Sequence, residues 1–346
     1  MLNSDFQDYN HLPTYDKTVL VTGATGLIGS FVVRLLLQQG ATIHALRRQS
    51  STPLLLEGLD EQIHWHEGDV LDVDSLEAAM EGVQSVIHCA ATVSFHPRDY
   101  AHMFKVNVEG TANVVNVALT TGIEDFCFVS SVAALGRKKG QMLIDESNQW
   151  ETSPLNSQYA QSKHLAEMEV WRGIAEGLSA VIVNPSVVLG PGELDKSSTQ
   201  LFNYVYTQKP FYIDGYLNYV DVRDVATSIL LLLARQIRGE RFVVSAGTIT
   251  YLEMFGYMAE TLGKKAPRIK VNGRMAGIAW RLASLQSWLT GGRPFITRET
   301  AQIAQNSFTF DNQKIKKRLD YQFKSAQEAI QWTGQALLAR EKNPKA

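Results

Sequence analysis

Thr22-Gly-Ala-Thr-Gly-Leu-Ile-Gly29 stands between a short β-rich run, Thr18–Thr22, and an amphipathic run, Leu27–Gln39, which Gly40 ends before a second β-rich run over Ala41–Leu46. Strand, glycine turn, helix and strand in that order make a βαβ unit, and such a unit calls for a parallel sheet. Gly23, Gly26 and Gly29 permit a tight turn, let backbone amides approach a pyrophosphate and let the helix pack on its strand. The helix N-terminus favours the negative charge. Thr25, Leu27 and Ile28 complete this predicted dinucleotide-binding turn.

The alternation continues outward from that unit. Strands are expected at Ile63–His66, Ser85–Cys89, Asp125–Ser130 and Ala180–Asn184, with helices at Asp74–Met80, Asp99–Thr121 and Tyr159–Glu176. Val220–Leu233 and Arg241–Ser245 read as a helix and strand returning to the sheet. The expected fold is therefore α/β, a Rossmann-type doubly wound parallel sheet of six or seven strands with ligands at their carboxyl ends. After Pro191 the alternation weakens and Tyr, Met and Trp become frequent, which predicts a smaller interleaved C-terminal substrate lobe. The boundaries expected are an N-terminal tail over 1–16, a dinucleotide-binding domain over 17–190 plus 216–245, and the lobe over 191–215 plus 246–346. Gly273–Leu289 reads as a helix with a broad apolar face, either a wall of that lobe or a lid.

Composition bounds the function. The chain has 346 residues, 45% apolar and 20% charged, with a formal net charge of −2, as an ordered globular protein has. Lys314–Arg318 is the only basic block and reads as a solvated helix face, so no nucleic-acid partner is expected. Cys89 and Cys127 sit in apolar runs and read as reduced core residues of a cytoplasmic protein. The first residues lack the basic-then-apolar order of a signal peptide and predict a mobile tail or a surface brace. The longest strongly apolar run, Val225–Ala234, falls far short of the ~20 residues of a transmembrane helix. No metal-ligand set is assigned.

Tyr159-Ala-Gln-Ser-Lys163 places a phenol and an ammonium on one face of a predicted helix, where they can share a proton. With the spacing G-x-x-G-x-x-G of the first motif, the chain resembles the extended short-chain dehydrogenase/reductase superfamily over nearly its whole length. Aligned on Phe128-Val-Ser-Ser-Val-Ala-Ala-Leu-Gly136, the family's catalytic Ser/Thr falls on Ser131. The resemblance implies that Ser131 bonds the substrate oxygen, Tyr159 transfers the proton, and Lys163 bonds the nicotinamide ribose and lowers the phenol from its ordinary pKa of about 10.

The same resemblance implies the rest of the cofactor site. Where relatives that use NAD carry an acid, this chain has Arg47 and Arg48, which suit a 2′-phosphate and favour NADP(H) over NAD(H). Asp69 and Val70 match the adenine contact, Ala90 and Ala91 end a strand with small residues, and Pro185, Ser186 and Val188 border the nicotinamide. Asn107 matches a structural asparagine of the superfamily. Many relatives dimerise through the Asp99–Thr121 and Tyr159–Glu176 helices, so that face is either a homodimer interface or solvated.

Several chemistries share this scaffold. Val132 and Ala133 stand where sugar-nucleotide dehydratases carry Asp-Glu, and Val187 stands where epimerases carry Asn. Pro185-Ser-Val-Val-Leu-Gly-Pro191 resembles dihydroflavonol reductases and 3β-hydroxysteroid dehydrogenases, although Asn184 replaces the usual Arg. Phe95, His96, Tyr204, Tyr206, Phe211 and Tyr212 predict an aromatic pocket, with Phe95, Ser131, Tyr204 and Tyr212 as substrate contacts. The expected activity is NADP(H)-dependent reduction of a small-molecule ketone or aldehyde. The alternatives are a nucleotide-sugar epimerase with bound NAD, its diphosphate clamped by Arg268, Lys270, Arg274, Arg281, Arg293 and Arg298, and a non-catalytic NADP(H) sensor.

Overall fold

The computed structural model describes Tyr9 and residues 11–271 and 308–342. The predicted helix over Gly273–Leu289, and Arg274, Arg281, Arg293 and Arg298, lie outside the described residues. From the N-terminal side come β1 (Thr18–Thr22), α1 (Leu27–Gln38), β2 (Thr42–Arg47), β3 (Ile63–Glu67), α2 (Val73–Met80) and β4 (Ser85–His88). There follow α3 (Tyr100–Phe104), a π-helical turn over Lys105–Glu109, α4 (Gly110–Thr120), β5 (Asp125–Val129), the short β6 (Leu143–Ile144), α5 (Gln158–Ala175) and β7 (Ala180–Pro185). The remaining elements are β8 (Val187–Leu189), α6 (Gln200–Tyr206), β9 (Phe211–Ile213), β10 (Tyr216–Asp221), α7 (Val222–Ala234), β11 (Glu240–Val244), β12 (Gly247–Thr250), α8 (Tyr251–Leu262), β13 (Ile269–Val271), β14 (Thr309–Phe310), α9 (Gln313–Leu319) and α10 (Ala326–Lys342).

Seven strands form one parallel sheet in the order β11-β7-β5-β4-β1-β2-β3. The order reverses between β1 and β4, which opens the ligand crevice at their carboxyl ends. Both faces are covered, so the central strands are apolar without alternation: every residue of β5 and β7 is buried. Val19 and Val21 join Phe31 of α1 and Leu230 of α7 on one face. Leu20 points to the other, with Leu76 of α2, Val114 of α4 and Val170 of α5.

Two element bounds are refined and one open alternative is resolved. The helix expected over Asp99–Thr121 is present from Tyr100 to Thr120, with a π-helical turn at its middle where the Asn107 side chain accepts from Thr92 N (2.7 Å) while donating to Thr92 O (3.0 Å). The helix expected from Val220 begins at Val222, because Val220 and Asp221 end β10 and the Asp221 side chain caps α7 by accepting from Arg223 N. The N-terminal segment braces the surface: Tyr9, Leu12 and Tyr15 are buried, and the Tyr15 hydroxyl is 2.8 Å from Ser85 Oγ.

A smaller sheet, β12-β10-β8, carries a separate apolar cluster that includes Phe202, Val205, Met254, Met258, Ile330 and Leu337. It connects to the large sheet through α7. Asp224, fully buried there, accepts from Tyr321 Oη (2.7 Å), Lys324 N (2.9 Å) and Lys324 Nζ (3.3 Å). Lys324 Nζ in turn lies 5.5 Å from the centroid of the Tyr9 ring, so it links the N-terminal segment to the buried Asp224.

Candidate active site

The glycine turn is as tight as its spacing requires. Gly23 has φ +71°, and a Cβ on it would meet Ala90 N at 2.6 Å. A Cβ on Gly29 would collide with Gly23 O. Gly26 is the N-cap of α1 without a side-chain cap, and the first turn carries no acid, so backbone donors there remain for a phosphate. Thr25, Leu27 and Ile28 are half-buried at the mouth. Leu27 Cδ1 lies 3.0 Å from a Cβ built on Gly190, which brings the turn against the segment after β8.

Arg47 ends β2 with its guanidinium 4.7 Å from the centroid of the Trp65 ring, and Arg48 is exposed. Asp69 accepts from Leu71 N (3.0 Å), fixing the bend after β3, and Val70 is buried beneath Gly110. Ala90 covers Gly23, and Ala91 is exposed. Pro185 and Ser186 are buried and Val188 is half-buried. Asn184 Oδ1, Ser186 Oγ and Ser245 Oγ are buried at the ends of β7 and β11 without a hydrogen-bond partner. A cradle that excludes side chains at one end and unsatisfied polar atoms at the other fit a nicotinamide dinucleotide.

The reacting groups converge at the ends of β5 and α5. Ser131 caps a 3-10 turn over Val132–Leu135, its Oγ accepting from Ala133 N at 3.2 Å, and it stands close enough to the Tyr159 phenol to favour its ionised form. Ser157 caps α5 through Ala160 N (3.0 Å) and so sets the turn that presents Tyr159. The Phe95 ring meets the Tyr159 ring edge-on, 5.9 Å between centroids. Lys163 is 1% exposed; its Nζ donates to Val129 O (2.9 Å) and lies 4.4 Å from the Phe128 ring centroid.

Burial pushes the Tyr159 phenol above its ordinary value, and Ser131 beside it offsets only part of this. The Lys163 ammonium is held at the Val129 carbonyl. Burial also lowers Lys163 itself to about 8, with Glu167 and Cys89 opposing the fall.

Tyr204 and Tyr212 lie against the apolar cluster of the smaller sheet. Tyr204 stacks on Phe255 (5.8 Å) and donates to Phe211 O (2.9 Å), and Tyr212 packs against the same small-sheet cluster. Tyr206 bonds Glu341, and His96 caps a turn by accepting from Arg98 N (3.2 Å). Lys270 pairs with Asp214 at the surface (2.7 Å).

Sequence reasoning missed a buried carboxylate behind the site. Glu167 accepts from Ser130 Oγ (2.8 Å), Asn184 Nδ2 (2.8 Å) and Arg241 Nη1 (2.9 Å). The available signal was its place four residues after Lys163 on the same helix. A second omission is Trp150, which stacks on His164 at 4.3 Å and 7° and pins the loop before α5.

A doubly wound sheet with a glycine turn at its switch point, and a Ser-Tyr-Lys group beside it, defines a nicotinamide-dependent oxidoreductase acting on carbonyl or alcohol groups. The chain belongs to the NAD dependent epimerase/dehydratase family, whose model matches residues 19–245. It is 32% identical to a Synechocystis sp. protein provisionally named dihydroflavonol 4-reductase, over 93% of this chain and 95% of that one. It is 33% identical to cinnamoyl-CoA reductase 1 of Oryza sativa subsp. japonica, over 72% of this chain and 77% of that one. The solved structure of gox2253 superposes with a TM-score of 0.79 at 32% identity, covering 94% of this chain and 99% of that one. No helix among the described residues is long and apolar enough to cross a membrane.

Proposed function

We propose that the protein is an NADP(H)-dependent reductase of ketones or aldehydes. The observation that carries this reading is Ser131 set beside the Tyr159 phenol, which meets the Phe95 ring edge-on, with apolar Val132 and Ala133 where an elimination would need an acid and a base. When bound, the nicotinamide supplies or accepts the hydride. Ser131 Oγ donates to the substrate oxygen, and Tyr159 Oη delivers the proton that the alcohol needs. Lys163 keeps positive charge beneath the phenol and bonds the nicotinamide ribose, and Phe95 offers an apolar edge to a flat substrate. Reductases among the relatives support the direction of this chemistry.

The preference for NADP(H) is supported by two arginines at the end of β2. Arg47 is braced on Trp65 and Arg48 is open to solvent, and neither is in an ion pair among the described residues. The epimerase reading loses support at Lys270, whose partner is already Asp214. Oxidation of NADPH with a panel of aromatic aldehydes and ketones tests the proposal. Turnover that disappears in Tyr159→Phe is expected; absence of turnover across the panel, or an unaffected Tyr159→Phe, overturns it.

A further inference from the structure

Glu167 is 1% exposed and lies between the three parts of the site. One oxygen, Oε2, accepts from Ser130 Oγ and from Asn184 Nδ2, both at 2.8 Å. The same Asn184 amide nitrogen donates to Ser131 O at 3.0 Å, so the backbone that carries Ser131 is tied to Glu167 through one side chain. The other oxygen, Oε1, accepts from Arg241 Nη1 at 2.9 Å and from Trp171 Nε1 at 3.4 Å. Arg241 is locked from behind by Glu146 O and Asn148 O, at 2.7–2.9 Å. One helical turn before Glu167, on the same helix, stands Lys163.

We propose that Glu167 is a positioning residue for the reaction: it fixes the Ser131 backbone through Asn184 and supplies the counter-charge that keeps the buried Lys163 ammonium charged. The inference rests on the reductase reading for the roles of Ser131 and Lys163. Two details argue against a merely structural ion pair. Arg241 on β11 already supplies the cation that pairs with Glu167, and Asn184 on β7, opposite Val243 in the register, adds an amide to the same carboxylate. That amide also reaches Ser131 O and so bridges carboxylate and catalytic loop, which a guanidinium salt bridge alone would not require.

The groups facing Lys163 are few. Cys89 and His88 approach from the β4 side, the Val129 carbonyl and Phe128 ring from β5, and Tyr159 and Glu167 from its own helix. Around Glu167 stand Arg241, Ser130, Asn184, Trp171 and, on its own helix, His164. Among these, Glu167 is the one carboxylate, and its charge opposes the effect of burial on Lys163.

The test is an NMR titration of the full chain labelled with 13C at lysine Cε, with the Lys163 signal assigned by its loss in Lys163→Arg. The Lys163 midpoint is expected to fall by more than about 0.5 pH unit in Glu167→Gln and to recover in Glu167→Asp. Should Glu167→Gln fail to fold with Arg241 left unpaired, the double variant Glu167→Gln/Arg241→Met removes both charges and must show a smaller fall in the same direction, because loss of the nearby cation offsets part of it. An unchanged Lys163 midpoint in the variant that folds overturns the proposal. With an aldehyde that the wild type reduces, kcat is expected to drop at least about tenfold while KM for NADPH stays within about twofold; an unchanged kcat in folded Glu167→Gln also overturns it. The titration needs no substrate, so it stands even if the panel of carbonyl compounds fails.

Discussion

Lys163 works against folding. Its ammonium is drawn from water into a seam with one carbonyl acceptor, and its folded pKa of about 8 lies below the ordinary lysine value of 10.5. The unfolded chain therefore binds more protons between those values, and stability from this group rises with pH across that window; the penalty is fully present below about 8. Lys163→Met is expected to lose that rise, which urea denaturation of both proteins from pH 7 to 10.5 would reveal as a difference curve that flattens. Tyr159→Phe should lower kcat by about 10²–10⁴-fold with little change in melting temperature, read from single-turnover reduction beside a thermal melt. Arg47→Asp should weaken NADPH far more than NADH in fluorescence titrations, and equal weakening of both would refute the 2′-phosphate assignment. Tyr159 and Lys163 were legible from their spacing, and Ser131 from its strand end. Glu167 was not, because its spacing from Lys163 was the one signal, and its partners Arg241 and Asn184 come from strands distant in sequence.

The elements that carry these residues were legible wherever periodicity governs them. β1, α1 and β2 lie within a residue or so of their expected bounds, since buried parallel strands and an amphipathic helix leave clear patterns. The π-helical turn over Lys105–Glu109 was hidden, because apolar periodicity does not mark a π-bulge; Asn107 lies within it, bound to Thr92 and also donating to Ser162 Oγ (3.0 Å). Asn107→Ala leaves the Thr92 N–H and C=O without those partners and should cost about 1–3 kcal/mol by chemical denaturation. Kinetic assays should show a larger effect on KM for the carbonyl substrate than on NADPH, since the loop released is the one that bears Phe95. At the end of β4, His88 is buried between Thr22 Oγ1 (2.7 Å) and Thr111 Oγ1 (3.0 Å), and burial holds it neutral down to about 3. Unfolded histidine takes up its proton near 6.5, so stability from His88 falls as pH drops from there towards about 3. His88→Asn should shallow that acid slope in melts taken from pH 7 to 4.

For the molecule as a whole, the large sheet was legible and its closure was not. The order of strands follows from right-handed crossovers and a glycine turn, whereas the meeting of Tyr9, Asp224, Tyr321 and Lys324 joins residues too distant for any local pattern. The packing of Tyr204 in α6 and Tyr212 in β9 against a second core was hidden for a related reason: in sequence an aromatic side chain looks alike whether it faces a ligand or a core. Lys324→Met removes a cation from a fully buried carboxylate and should cost about 2–4 kcal/mol, checked by urea unfolding, with Tyr9 becoming accessible to proteolysis nearby. The placement of that clasp sets a timetable for the nascent chain. Strands β1 to β5, β7 and β11 can pair as they leave the ribosome, yet Asp224 stays uncovered and the small-sheet cluster lacks Ile330 and Leu337 until the segment beyond Tyr321 has emerged. A polypeptide halted before that point presents a finished nucleotide cradle on an unfinished body, a species for chaperones and proteases to sort.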